Sequence, residues 1–155
     1  MGTARGGFDA LIAAADRAAA TLGLAGLAQI GHGHREPRHL PWVRFLEPER
    51  LRALLARRPL VVTHAGMGTV GEAMRAGCRI LLVPRPQRTS RRHPSNDQRA
   101  FARRLAALHP VHLCPHPGEL EAHLRRLRDA PAAPVPYRLE SDVPLLLRDF
   151  LARLP

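Results

Sequence analysis

Apolar residues recur along this chain in two alternating rhythms. Phe8, Leu11, Ile12, Ala15 and Ala19 share one face of a 3.6-residue repeat, which predicts a helix over 8–22, with Gly23 where such a helix closes. Leu27 to Ile30 is a short apolar run ending at Gly31, and Trp42 to Leu46 is a second; both read as strands. Pro48 opens a helix over 49–57, at a position where its missing N–H is harmless. Leu60 to Val62 then reads as a buried strand, followed by glycines and a helix that Gly77 ends. Arg79 to Pro84 is another buried strand, and Ser95 caps a helix running to Leu108. Val111 to Leu113 is a short strand, Pro117 or Gly118 starts a helix to about Arg128, and a last amphipathic helix spans 143–154.

Strand and helix alternate throughout, with helices of crossover length. That order predicts an α/β fold, a Rossmann-like three-layer parallel sheet covered by helices on both faces. In such sheets ligands bind beyond the carboxyl ends of the strands, so the loops after Ile30, His64 and Pro84 should share one face. The domain is expected to span 1–129. The proline-rich stretch 130–136 is expected to be an extended linker, and the helix after it to pack on the same domain.

The stretch from Val61 to Met74 is where chemistry is expected. A strand that ends in Gly66 and Gly68 and opens a helix is a geometry that holds an anion, because glycines admit the ligand and the helix's first N–H groups point at it. The spacing is not G-x-G-x-x-G, since Gly71 already lies within the helix, and no lysine follows as in a Walker P-loop.

Composition narrows the partners. A chain of 155 residues suits one domain, and its 24 basic residues, all arginine, exceed its 13 acidic ones by 11. That surplus suits nucleic acid, anionic lipid or phosphorylated substrates, although GC-rich coding produces the same bias. Aromatic residues are 4% of the chain and do not interleave with arginine, which argues against base stacking on a single strand. Cys78 and Cys114, each beside apolar segments, read as buried thiols of a reducing compartment. No apolar run is long enough to span a membrane, the N-terminus lacks a secretory pattern, and His32, His34 and His39 lack convincing metal spacing.

Thr63-His64-Ala65-Gly66-Met67-Gly68-Thr69-x-x-Glu72, then Gly77, Ile80 to Pro84, and Asn96-Asp97-Gln98, resemble the donor-binding half of GT-B glycosyltransferases. The nearest likeness is to the glycosyltransferase family 28 C-terminal domain. Within it the chain resembles the small soluble subunits of split enzymes, those of bacterial exopolysaccharide glycosyltransferases and of the eukaryotic dolichol-linked UDP-GlcNAc transferase. The resemblance implies that Gly66, Gly68 and Thr69 present N–H and hydroxyl groups to a diphosphate, and that His64 adds a hydrogen bond. Glu72 would accept from the ribose hydroxyls, and Asp97 and Gln98, with Asn96 in the same triplet, would hold the transferred sugar. It implies an inverting hexosyltransferase using a UDP-sugar as co-substrate, with no other cofactor and no metal. A polyprenyl-linked sugar would be the acceptor, and a membrane-anchored partner subunit would bind it and supply the general base, at the inner face of the cell membrane. The family's first strand belongs ahead of Gly2-Thr3, which implies either a coding start further upstream or a sheet lacking an edge. The loop over 85–94 departs from the family in carrying Arg85, Arg88, Arg91 and Arg92, which could serve phosphate, a membrane or a partner.

Plainer readings stand beside these. Thr69-x-x-Glu72 and Ser95-x-x-Gln98 are both capping-box patterns, His64 could be a satisfied strand-end histidine, and the glycines could make a tight turn. Two rival functions also stand: a non-catalytic nucleotide-binding or regulatory subunit, and an arginine-rich nucleic-acid-binding protein, although the resemblance implies no nucleic acid.

Overall fold

The computed structural model describes residues 7–85, 98–129 and 134–137. Within them the expected alternation of strand and helix is realised. α1 (Asp9–Leu22) buries Leu11, Ile12, Ala18 and Leu22 and closes on Gly23 in the left-handed conformation. β1 (Ala28–Gln29) and β2 (Trp42–Val43) pair in parallel. α2 (Pro48–Leu55) begins on its proline, β3 (Val61–Thr63) follows, and α3 (Met67–Arg75) follows that. β4 (Ile80–Leu82), α4 (Gln98–Leu108), β5 (His112–Leu113), a 3-10 turn over Pro117–Glu119 and α5 (Leu120–Arg128) complete the described elements. The caps expected at Ser95 and the last helix over 143–154 lie outside the described residues.

β4 is central, with β3 on one side and β5 on the other, all parallel. Its residues Ile80, Leu81 and Leu82 are fully buried because helices cover both faces. Alternation along the strand sends Leu81 and Val83 into a core with α1 and α5, and Ile80 and Leu82 into a second core with α2, α3 and α4. Cys78 and Cys114 are buried and free, one in each core.

Hydrogen bonding divides the strands into two parallel sheets, β1–β2 and β3–β4–β5. Among the described residues no ladder joins the β1–β2 pair to β3. A cavity of about 380 Å3 occupies this region, lined by Ala15 and Ala19 of α1, Leu27, Leu60, Val62, and Leu124 and Leu127 of α5.

Two carboxylates of α1 hold the long connection between β1 and β2. Asp9 accepts from the His34 amide at 3.1 Å. Asp16, buried beneath the connection, accepts from the amides of Arg38, His39 and Leu40 at 2.8–3.0 Å. Burial pushes its carboxyl up, but those three amides outweigh burial and hold it below its ordinary value. Residues 134–137 lie against the far end of α3. The Val135 amide donates to the Gly77 carbonyl at 3.1 Å, and the Tyr137 hydroxyl donates to the Cys78 carbonyl at 2.8 Å.

Candidate functional site

The candidate site lies where β3 and β4 end. The Val83 amide donates to the Thr63 carbonyl at 2.8 Å, so the chain leaving β3 through His64 and the chain leaving β4 through Arg85 emerge side by side. Thr63 and His64 are nearly inaccessible, at 2% and 4% exposure. Thr63 Oγ1 and His64 Nδ1 are both buried without a hydrogen-bond partner. A buried polar atom left unpaired costs about 1–3 kcal/mol, so two on consecutive residues need a reason.

The glycines of the loop have separate jobs. A Cβ on Gly66 would fall 2.4 Å from His64 Cε1 and 3.0 Å from its Nδ1, so the imidazole ring occupies the space a side chain there would need. A Cβ on Gly68 would meet nothing within 4 Å. Gly66 makes room for the histidine, and Gly68 keeps the helix start open.

Gly66 is the N-cap of α3, and no side chain caps the helix. The Thr69-x-x-Glu72 capping box is thereby excluded, because Thr69 already sits in the first turn. The amides of Met67, Gly68 and Thr69 have no acceptor within the helix, and the positive end of the dipole lies behind them. Glu72, one turn further, pairs with Arg75 at 2.7 Å and borders a shallow recess with Arg52 and Leu55 of α2. Arg75 is well exposed and Glu72 partly so, and such a pair adds little stability.

Burial, followed by the charge of Arg85, holds the His64 imidazole below its ordinary pKa. The ring is therefore neutral at neutral pH and offers a hydrogen bond without a charge. Arg85 stands with its guanidinium 5.7 Å from the centre of the Phe8 ring, and its amide donates to Gln98 Oε1 at 3.3 Å. Burial lowers the Arg85 pKa, yet a guanidinium stays cationic. Gln98 is buried as the first residue of α4, so its carbonyl oxygen serves the end of β4. Asn96 and Asp97, with Arg88, Arg91 and Arg92, lie outside the described residues.

The structure thus gathers His64, Gly66, Gly68, Thr69 and Gln98 around the strand ends and sets Glu72 one turn out along α3. Motif reading missed Thr63, whose orphaned hydroxyl only burial reveals, and Phe8, which reaches Arg85 from a distant part of the sequence. Among the described residues, no group of three or more His, Cys, Asp or Glu side chains is placed to hold a metal ion, and no helix is long and apolar enough to cross a membrane.

Comparison with known proteins bears on the same region. No curated protein matches the sequence. Among solved structures, the glycotransferase of kitacinnamycin shares the fold, with a TM-score of 0.57 and 23% identity over 79% of this chain. The present chain spans only 31% of that one. The model of the glycosyltransferase family 28 C-terminal domain matches residues 6–142, which takes in both cores, the glycine loop and the Asn96-Asp97-Gln98 segment. On that match, the chain belongs to the glycosyltransferase family 28 C-terminal domain family.

Proposed function

We propose that this domain binds a nucleoside diphosphate sugar, with UDP as the nucleotide, and serves as the donor half of an inverting GT-B hexosyltransferase. The observation that carries the reading is the uncapped, open first turn of α3 beside a buried imidazole whose Nδ1 has no partner. A leaving diphosphate gains charge in the transition state, and fixed amide dipoles at Met67, Gly68 and Thr69 stabilise it there. Glu72 would accept from the ribose hydroxyls after leaving Arg75. Asn96, Asp97 and the amide nitrogen of Gln98 would hold the sugar. No described side chain at the strand ends is an evident general base: the His64 imidazole is neutral, but its burial and lowered pKa make it a weak base. The base and the polyprenyl-linked acceptor site would belong to a membrane-anchored partner, at whose anionic surface the net charge of +11 favours docking.

Calorimetric titration with UDP, UMP and uridine tests the donor reading. Tightening affinity along the series uridine, UMP, UDP is expected. Uniformly absent binding, with steeply salt-dependent binding of RNA or DNA, would remove it. Sugar transfer from a UDP-sugar on adding membranes that hold the partner is the expected activity. Binding of UDP without any such transfer would leave a nucleotide-binding regulatory subunit.

A further inference from the structure

The candidate site has an imbalance of charge. A nucleoside diphosphate brings at least two negative charges. The N-terminus of α3 supplies roughly half a positive charge, and the neutral His64 ring supplies none. Among the described side chains at these strand ends, the one that can make up the difference is Arg85, which is held there by three constraints. Its backbone leaves β4 directly beside the end of β3, its amide is fixed by Gln98, and its guanidinium lies over the Phe8 ring. A cation–π contact with the aromatic face helps to hold the guanidinium in place and shields one side of it.

We propose that Arg85 is a binding residue that pairs with the diphosphate and sets a preference for nucleoside diphosphates over monophosphates. The inference rests on the donor reading above and gives it a charge-bearing residue outside the glycine motif. The work is divided: Arg85 supplies a fixed charge, and His64 supplies a hydrogen bond. Among the described side chains, Arg85 is the one whose charge acts on the imidazole. An anion paired to Arg85 relieves that repulsion, while burial, the larger cause, still holds the imidazole below its ordinary value. Two basic groups that oppose each other in the empty site then act together in the filled one.

Calorimetry with UDP, UMP, uridine and inorganic pyrophosphate on the wild type, R85K and R85M tests this, together with an NMR titration of the His64 ring in the free proteins. R85M is expected to weaken UDP by about 10- to 100-fold, the range of a hydrogen bond to a charged group, while leaving uridine unchanged. R85K is expected to recover part of the loss, because it keeps the charge and gives up the planar guanidinium. The His64 ring is expected to titrate at higher pH in R85M than in the wild type, a change that a packing role would not produce. Unchanged UDP affinity in R85M, or an equal loss of UDP and uridine, overturns the proposal. Pyrophosphate separates the two readings. Wild-type protein that binds pyrophosphate through Arg85 but gains nothing from uridine sinks the nucleotide reading and keeps Arg85. Tight UDP binding indifferent to Arg85 does the reverse.

Discussion

Gly66 and Gly68 are the same residue type two positions apart, yet their surroundings make them opposite experiments. Gly66→Ala drives a methyl group into the His64 ring, so it should cost about 1–3 kcal/mol on thermal unfolding and displace the imidazole. Gly68→Ala meets open space and gains helix propensity, so stability should hold or rise by up to about 1 kcal/mol. If the diphosphate sits on the first turn of α3, Gly68→Ala should still weaken UDP in calorimetry. His64 carries a pH signature. Burial and then Arg85 depress its pKa in the folded protein, so the unfolded chain binds the proton more readily. Stability should therefore be full above the ordinary histidine value of 6.5 and fall as pH drops below it, and His64→Gln should lose that slope in urea unfolding. A diphosphate paired to Arg85 offsets the Arg85 part of that shift, so the His64 ring should titrate at higher pH with UDP bound than without it, read by NMR.

At the scale of elements, α1 does more than cover the sheet. Its mid-helix Asp16 collects three amides from the connection between β1 and β2, a segment with little apolar content of its own. Asp16→Asn keeps the shape and removes the charge that strengthens those bonds. It should cost about 1–3 kcal/mol in chemical denaturation and increase hydrogen exchange at Arg38, His39 and Leu40. Because the Asp16 pKa is lowered on folding, its contribution should be present above the ordinary carboxylate range and lost as pH falls through it. α3 teaches the complementary lesson. Its start at Met67 instead of Thr69 leaves the first turn uncapped, which weakens the helix and opens it to an anion.

Across the whole molecule, residues 134–137 tie a late part of the chain to the turn between α3 and β4. Tyr137 is the chain's single tyrosine, so its phenolate absorbance reports on that contact without interference. Burial, with a smaller contribution from Cys78, pushes its pKa up to about 12. The folded protein should therefore titrate near that value, and a midpoint at the ordinary 10 would show the contact absent in solution. Folding favours the neutral phenol, so the stability it contributes should be lost as pH rises past 10. Tyr137→Phe removes the bond to the Cys78 carbonyl and should cost about 1 kcal/mol, with faster thiol labelling at Cys78.

Periodicity and punctuation by themselves determined the kind of molecule this is. Helical and strand repeats, with Gly23, Pro48 and Gly77 between them, specify α/β alternation because they act over a few residues. The order of residues from Thr63 to Glu72 marked the candidate site, since a strand, a glycine loop and a helix are contiguous in sequence. Only the tertiary structure decided the rest, through burial and side-chain packing around the glycine loop and through meetings of residues far apart along the chain elsewhere. Gly66 is needed for an imidazole ring that folds back on it, Thr63 is orphaned by burial, and Glu72 turns to Arg75. Phe8 meets Arg85, Asp16 meets Leu40, and the strands hydrogen-bond as two sheets, β1–β2 and β3–β4–β5. Packing sets these meetings, and local pattern carries no trace of them.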